Sequence, residues 1–478
     1  MSNYDYDFVV IGGGSGGYAA ARTAHDLGLK TAVIDSAEEL GGLCILRGCM
    51  PSKTLIESSN RYRSLRRAEE FGLQAEAKGV SADKINDRKK VLIDDFASYR
   101  QGQLNDGRFD LIRGAAEFID SHQLAVQPND GGQLRKISFA SACIASGSSV
   151  MRLPLPGIEE AGYWTSRDIL DARELPDSII VLGGGAIALE MACYMEGLGK
   201  QVTVIQRSEE LITGADKDVA DALFSALDER DNMTLYTETG LEKVTVDADG
   251  SKRVHFLHKG ASTSVAAEQI LMALGRTPNS KTLCPELAGI ELATNGKHLG
   301  ANEEMASSQP HIFAAGDVCG PHEVVHTAIE QGEIAAHNAA VYLGKQSGEP
   351  QKISYRLKLL GIFTDPQVAM VGLTEAEAKA EGIDVVTASY PFDDHGKSMV
   401  MGETHGFVKL IAKKGSGELV GGAVIGPEAT ELIHEIVVAL HFRCTGGELL
   451  RIPHYHPTLS EIWTYPAEDV DELAREVS

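Results

Sequence analysis

The feature that most constrains the fold is a pattern that occurs twice in the chain. Residues 7–35 and residues 178–206 each contain an apolar β-like run, a glycine cluster, a helix of small residues and a second β-like run. A strand, a crossover helix and a parallel strand of this kind form one βαβ unit. The sequence therefore predicts an α/β fold with two separate parallel sheets.

The glycines of the first copy have the spacing G-x-G-x-x-G, at Gly12, Gly14 and Gly17. The first permits a tight turn, the second lets a pyrophosphate approach the backbone, and the third lets helix and strand pack closely. The ribose of such a ligand needs an acid at the end of the second strand, and Asp35 has that position. Alone, this motif also fits a plain glycine-rich turn.

The second copy has Gly183, Gly185 and Ala188 at the same spacing, with Gln206 where the first copy has its acid. Two copies in the same strand–glycine–helix–strand context predict two dinucleotide sites. The usual pair of dinucleotides in one chain is a flavin and a nicotinamide.

Composition excludes several function classes. The net charge of −24 argues against binding to nucleic acid or to an anionic membrane surface. No apolar run has the length of a membrane helix. The acidic start lacks the basic region of a signal peptide, and seven scattered cysteines do not form a secreted disulfide framework. These features predict a cytoplasmic protein.

Cys44 and Cys49 differ from the other cysteines because they lie close together in the glycine-rich segment 41–53. Their spacing is too long for C-x-x-C but can close a short loop at the start of a helix, where the dipole favours a thiolate and Pro51 suits the first turn. Two unrelated structural thiols remain an alternative. Zinc needs four ligands, and no second cysteine or histidine pair with the right spacing lies nearby, so no metal is expected. The pattern favours a transient catalytic disulfide.

Near the C-terminus, His454 and His456 point the same way if the chain is extended. A metal-binding pair or an exposed loop is one interpretation. The other makes one histidine a general base, with Glu461 as the carboxylate that orients it.

In this combination the chain resembles the flavin-dependent pyridine nucleotide–disulfide oxidoreductases along its whole length. Gly41–Lys53 matches the active-disulfide motif of that family, and Ala314–Asp317 its second flavin motif. Ala145–Ser148 matches the step before the nucleotide domain, His456–Glu461 the C-terminal H-P-T-x-x-E, and 364–378 the start of the interface domain.

The resemblance implies two Rossmann-like dinucleotide-binding domains and a C-terminal α+β dimerisation domain, as in glutathione reductase. Connectors at 152–162, 271–279 and 347–352 indicate where the domains divide. The predicted domains are 1–150 for the first part of the FAD-binding domain, 151–276 for NAD(P), 277–348 for the segment that completes the FAD site, and 349–478 for dimerisation.

The resemblance also implies catalytic roles. Cys49 would form the charge-transfer thiolate beside the flavin, and Cys44 would exchange with a dithiol substrate. His456 and Glu461 would act on the disulfide of the partner subunit, which implies a homodimer with shared active sites. His454 would have no such role.

The predicted cofactors are FAD and NAD, with NADP left open. Lys53 would pair with Glu190 beside the flavin and the nicotinamide. The residues predicted to contact FAD are Gly12, Gly14, Gly17, Asp35, Lys53, Gly114, Ala116, Ser146, Gly316 and Asp317. Those predicted at the nicotinamide nucleotide are Gly183, Gly185, Ala188, Glu190, Gln206, Arg207 and Gly275.

Within the family the sequence is most similar to the dihydrolipoyl dehydrogenases, because of His326 and the segment 214–221. The substrate would be a dithiol, with a lipoyl-carrying protein as one candidate. A glutathione-reductase-like enzyme is the alternative. The tail lacks the cysteine pair of mercuric reductases. A remote alternative is a flavin-binding scaffold without redox activity. The presence of all four predicted catalytic residues argues against it.

Two substitutions depart from the family pattern. Leu43 replaces the usual threonine before the first cysteine, and Arg47 adds a positive charge between the cysteines. At the second ribose position Gln206 does not repel a 2′-phosphate and Arg207 could bind one. The acidic residues at 209 and 210 would repel a 2′-phosphate, and this favours NAD over NADP.

Overall fold

The structure is a computed structural model that describes residues 4–476. These residues form two compact units, each assembled from separate stretches of chain. The first unit comprises the residues up to Thr54, Lys84–Met151 and Arg276–Ser354. The second unit comprises Leu55–Asp83, Arg152–Gly275 and the residues from Tyr355 onward. The predicted division into four domains stays a prediction.

The helices are α1 (Ser15–Asp26), α2 (Gly42–Arg47), α3 (Cys49–Arg66), α4 (Ala82–Leu104), α5 (Ile158–Ala161), α6 (Ser166–Asp171), α7 (Ala186–Gly197), α8 (Lys217–Asp228), α9 (Val325–Tyr342), α10 (Glu375–Ala380), α11 (Gly396–Met401), α12 (Ala429–His441), α13 (Gly446–Leu450) and α14 (Thr464–Arg475). In residues 4–476, none of the helices combines the length and the apolar composition that a membrane crossing requires.

The strands are β1 (Tyr6–Ile11), β2 (Thr31–Asp35), β3 (Asp110–Asp120), β4 (Gln123–Pro128), β5 (Arg135–Ile144), β6 (Ser148–Val150), β7 (Ser178–Leu182), β8 (Gln201–Ile205), β9 (Met233–Tyr236), β10 (Thr239–Val246), β11 (Lys252–His258), β12 (Ala261–Ala267), β13 (Gln269–Met272), β14 (Arg276–Pro278), β15 (Ile312–Ala314), β16 (Leu359–Ile362), β17 (Gln367–Gly372), β18 (Val385–Pro391), β19 (Phe407–Lys413) and β20 (Leu419–Gly426).

The first unit is built on a parallel sheet with the strand order β3-β2-β1-β5-β15. β4 pairs antiparallel with β3 and β5. Residues 8–11 of β1 are apolar and buried, as expected for a central parallel strand that is covered on both faces. The segment β1-α1-β2 is the first predicted βαβ unit.

The second unit contains the other predicted βαβ unit, β7-α7-β8, in a parallel sheet with the order β13-β7-β8-β9. Strands β10, β11 and β12 form an antiparallel meander. The C-terminal part of this unit is an antiparallel sheet with the order β16-β17-β20-β19-β18, whose core includes the apolar faces of α12 and α14. The two strands and the helix predicted there correspond to β19, β20 and α12.

A partly buried network of four charges lies within the second unit. Arg63 donates to Glu196 at 3.1 Å and to Asp365 at 2.7 Å, and Arg230 donates to the same two carboxylates at 2.6 and 2.7 Å. Burial opposes the charged form of Asp365, but the two guanidinium groups outweigh it and lower the pKa of this carboxyl. Each arginine is thus shared between two acids.

We expect Glu196→Ala to lower the free energy of unfolding by about 3 kcal/mol, because it leaves two largely buried guanidinium groups, 14% and 17% exposed, with one acidic partner in place of two. Urea denaturation of the purified protein measures this loss. The matched control is Asp221→Ala, which removes an exposed partner of Lys217 and should cost less than about 1 kcal/mol. Equal losses in the two variants would contradict the assignment.

Candidate functional site

The first glycine turn joins β1 to α1 and has no room for side chains at two of its glycines. A Cβ on Gly12, where φ is +107°, would lie 2.3 Å from the carbonyl oxygen of Ala145, and one on Gly17 would lie 1.8 Å from that of Gly12. At Gly14 the nearest atom would be Cα of Gly42, at 3.9 Å. The open space over Gly14, at the start of a helix, suits a phosphate group.

Asp35 ends β2 beside this turn. One carboxylate oxygen accepts the backbone N–H of Gly13 at 2.7 Å, and the other accepts that of Ala37 at 2.7 Å. These bonds fix the carboxylate at the position where a dinucleotide ribose is expected.

The other residues predicted on the flavin side lie on neighbouring strands of the same sheet. Gly114 and Ala116 are on β3, and Ala116 packs into the hydrophobic core. Ser146 follows β5, while Gly316 and Asp317 follow β15. Because β1, β5 and β15 are adjacent and parallel, the segments that follow them meet at the carboxyl edge of the sheet, where α/β folds bind ligands.

Asp317 is held by a relay that the sequence did not reveal. The hydroxyl of Ser148 donates to its carboxylate at 2.5 Å, and Arg276 donates to the Ser148 hydroxyl at 2.7 Å and to its carbonyl at 2.6 Å. The pairing of β6 with β14 brings Ser148 and Arg276 together. The only sequence signal for this contact was the glycine–arginine turn at 275–276.

The two predicted redox cysteines are neighbours. Cys44 lies within α2 and Cys49 is the first residue of α3. Most of the predicted loop is helical instead, because α2 contains Cys44 and ends at Arg47, directly before Gly48. A Cβ on Gly48 would lie 3.0 Å from the carbonyl oxygen of Leu43, so a side chain there would crowd the end of the helix.

The two thiols interact directly with each other. A hydrogen bond with Cys49, together with burial, raises the pKa of Cys44 above its usual range, while the positive charge of Lys53 works in the opposite direction. The assignment of the thiolate to Cys49 stays a prediction.

Two arginines of the first unit concern the redox site, because Arg47 lies between the cysteines in the sequence and Arg100 lies near Cys44 in the structure. Arg47 lies 3.8 Å from Glu39, a long ion pair at the surface. Arg100 of α4 lies over the ring of Tyr18, 4.1 Å from its centroid, and is close enough to Cys44 to interact with its charge. Burial lowers the pKa of Arg100, and its Nε and Nη1 have no hydrogen-bond partner in the described residues. Sequence reasoning missed Arg100 because it lies 56 positions after Cys44.

The second glycine turn repeats the geometry of the first. A Cβ on Gly183 would lie 2.4 Å from the carbonyl oxygen of Ala273, and Ala188 is fully buried against the sheet. Nothing lies within 4 Å of a Cβ on Gly185, which leaves the start of α7 open. Gly275, with φ +112°, follows β13 two residues after Ala273.

The remaining residues predicted at the nicotinamide nucleotide lie around this turn. Gln206 follows β8 and packs on Gly184, and its side-chain amide donates to the carbonyl of Glu210 at 3.3 Å. Arg207 is exposed. Glu190 on α7 is 4% exposed and accepts the backbone N–H of Phe363 at 3.0 Å. Its predicted pairing with Lys53 stays a prediction.

The C-terminal histidines have different carboxylate partners. Nδ1 of His456 lies 2.9 Å from Oε2 of Glu461, and this imidazole is largely exposed. His454 is buried instead, and its Nε2 lies 2.6 Å from Glu435. The structure thus brings together the predicted base and its orienting carboxylate, while His454 pairs with a different carboxylate, that of Glu435.

Comparisons with known proteins identify one family whose models match most of the chain. The family model for pyridine nucleotide-disulphide oxidoreductases matches residues 6–332, and the dimerisation-domain model of that family matches residues 360–467. A dihydrolipoyl dehydrogenase of Bacillus subtilis is 33% identical over 97% of this chain and 96% of its own length. One from Mycobacterium bovis is 34% identical over 95% of this chain and 96% of its own.

Solved structures share the fold. The crystal structure of LpdA from Mycobacterium tuberculosis has a TM-score of 0.85 and 29% identity, and covers 97% of this chain and 99% of that chain. A Cu(II) complex of the HOCl-induced flavoprotein disulfide reductase RclA from Escherichia coli has a TM-score of 0.82 at 24% identity, and covers 100% of both chains. The predicted fold class is confirmed.

We expect Gly14→Val to abolish flavin binding, because its side chain would enter the open space over the first glycine turn, where the protein atom nearest to its Cβ is Cα of Gly42 at 3.9 Å. The ratio of flavin absorbance to protein in the purified variant measures this and should fall by about tenfold or more. Gly185→Val is the matched control at the second turn and should keep the flavin. Normal flavin content in Gly14→Val would contradict the assignment.

Proposed function

Because the chain belongs to the pyridine nucleotide-disulphide oxidoreductase family, we propose that it acts as a dihydrolipoyl dehydrogenase, passing electrons from a dithiol to NAD through Cys44 and Cys49. The observation that carries this proposal is the hydrogen-bonded cysteine pair at the start of α3, beside the first glycine turn. Its substrate class is supported by the curated relatives that bear this name. We place the enzyme in the cytoplasm.

The enzymes of this family are FAD-dependent disulfide oxidoreductases that use a pyridine nucleotide. The first unit fits FAD, because Gly14 leaves room for a pyrophosphate and Asp35 and Asp317 are held at the same sheet edge. The second unit has equivalent room over Gly185. FAD, when bound, supplies the two-electron acceptor between the thiols and the nicotinamide.

In the proposed reaction a substrate thiolate attacks Sγ of Cys44, which breaks the Cys44–Cys49 bond and releases the Cys49 thiolate. His456 removes the proton from the second substrate thiol, whose thiolate attacks the substrate sulfur bound to Cys44. The bond between that sulfur and Sγ of Cys44 breaks, and the released Cys44 thiolate takes the proton from His456. The products are the substrate disulfide and a reduced cysteine pair, whose two electrons leave from Cys49. Glu461 keeps the Nδ1 proton of His456 in place, so that Nε2 is the basic nitrogen.

The match to the dimerisation-domain model indicates a homodimer. The C-terminal segment has large apolar side chains that a second copy can cover, namely Met399, Val400, Val438, Phe442, Ile452 and Tyr455. Tyr455 is 83% exposed and directly precedes His456. We propose that each subunit supplies His456 and Glu461 to the disulfide of the other, and that a lipoyl-carrying protein presents the dithiol.

We expect Cys44→Ser to reduce dihydrolipoamide-dependent reduction of NAD by at least about a thousandfold, because a hydroxyl cannot form the mixed disulfide. Steady-state absorbance of NADH measures this turnover. The flavin content should be unchanged, since Cys44 is not part of the glycine turn.

Cys444→Ser is the matched control, since Cys444 packs against the core of the C-terminal sheet and has no part in the proposed reaction, and it should keep full activity. Glutathione disulfide with NADPH is the competing assay for the wild-type enzyme. Turnover with that pair, and none with dihydrolipoamide, would replace the proposed function by a glutathione-reductase-like one.

We expect Arg207→Ala to change kcat/KM for NAD by less than about twofold, because Arg207 is exposed and NAD has no 2′-phosphate for it to bind. Assays with NAD and NADP, on the wild type and the variant, measure the preference. A large loss with NADP alone, from a wild type that prefers NADP, would reverse the assignment of NAD.

A further inference from the structure

A second histidine faces the carboxylate that orients His456. His395 lies directly before α11, and its side chain is 1% exposed. Its Nε2 lies 3.6 Å from Oε1 of Glu461, whose Oε2 lies 2.9 Å from Nδ1 of His456. The Glu461 side chain is itself only 14% exposed, and it lies between two imidazole rings.

The two polar partners of the ring together indicate which nitrogen carries the proton. Nδ1 of His395 lies 2.8 Å from the hydroxyl of Ser398, which is fully buried. A carboxylate only accepts hydrogen bonds, so in the neutral ring the nitrogen that faces Glu461, Nε2, carries the proton. Nδ1 then accepts the hydrogen bond from the Ser398 hydroxyl.

The charged groups around His395 keep this donor in place. Burial lowers the pKa of His395, and the positive form of His456 acts in the same direction, while Glu461 opposes both. The ring is therefore neutral at pH 7. Its Nε2 has no closer hydrogen-bond partner in the described chain, and a buried N–H without an acceptor is costly.

We propose that His395 is a positioning residue, which holds Glu461 from the side opposite His456 through its Nε2–H. The inference rests on the proposed function, in which His456 is the base. A small rotation of the Glu461 carboxylate shortens the 3.6 Å separation to a hydrogen bond. This donor limits both the rotation of the carboxylate and the negative charge that it presents to His456.

The test is the pH dependence of labelling of His456 by diethyl pyrocarbonate in the FAD-loaded enzyme, with mass spectrometry to separate it from the buried His454. Only the neutral imidazole reacts, so the rate gives a pH midpoint without any turnover. In His395→Phe, Glu461 loses a donor and holds a proton on His456 more tightly. We expect the midpoint to rise by about half a pH unit or more, and the acid limb of kcat/KM to move with it.

His395→Gln keeps an N–H near the position of Nε2 and should restore the wild-type midpoint. His405→Phe, at an exposed histidine between α11 and β19, is the matched control and should leave the midpoint unchanged. If His395→Phe does not fold, Ser398→Ala replaces it, because loss of the hydroxyl frees Nδ1 to take the proton and should raise the midpoint too.

An unchanged midpoint in His395→Phe, or in Ser398→Ala where that variant replaces it, overturns the proposal. A merely structural role of His395 would lower stability or kcat without moving the midpoint. If the wild type shows no dithiol turnover, the proposed function fails, while the labelling shift still decides whether His395 acts on Glu461.

Discussion

The close approach of two glycines, Gly14 in the first turn and Gly42 at the start of α2, is the contact on which the candidate redox site depends. A Cβ on Gly42 would lie 2.7 Å from Cα of Gly14, so any side chain there would push the two backbones apart. The same contact brings the helix that carries Cys44 to the start of α1. Phosphate binding at the first turn and the placement of Cys44 thus both depend on glycine at this contact.

A second principle is the use of shared carboxylates. Asp35 accepts two backbone N–H groups, Glu461 faces two histidines, and Glu196 and Asp365 each bind two arginines. A carboxylate with two partners is restrained in orientation as well as in charge. At Glu461 that restraint passes to the candidate base, and at Glu196 and Asp365 it stabilises the second unit.

Much of the architecture was predictable because its signals are local. The two βαβ units follow from apolar runs and glycine spacing within about 30 residues, and the partnership of His456 with Glu461 follows from a separation of five. The short helix α2, which contains Cys44, was not predicted, because a six-residue helix has too few turns to show a period. The relay of Arg276 and Ser148 onto Asp317 was missed because these residues lie more than 100 positions apart.

The sequence by itself determined the strand–glycine–helix turns and the identity of the redox and acid–base groups, because each depends on residues that are close along the chain. Tertiary structure decided which groups surround them: Arg100 beside Cys44, Ser148 on Asp317 and His395 opposite His456. Such contacts form only when strands and helices that are far apart in the sequence pack together, and a single sequence does not show which of them do so.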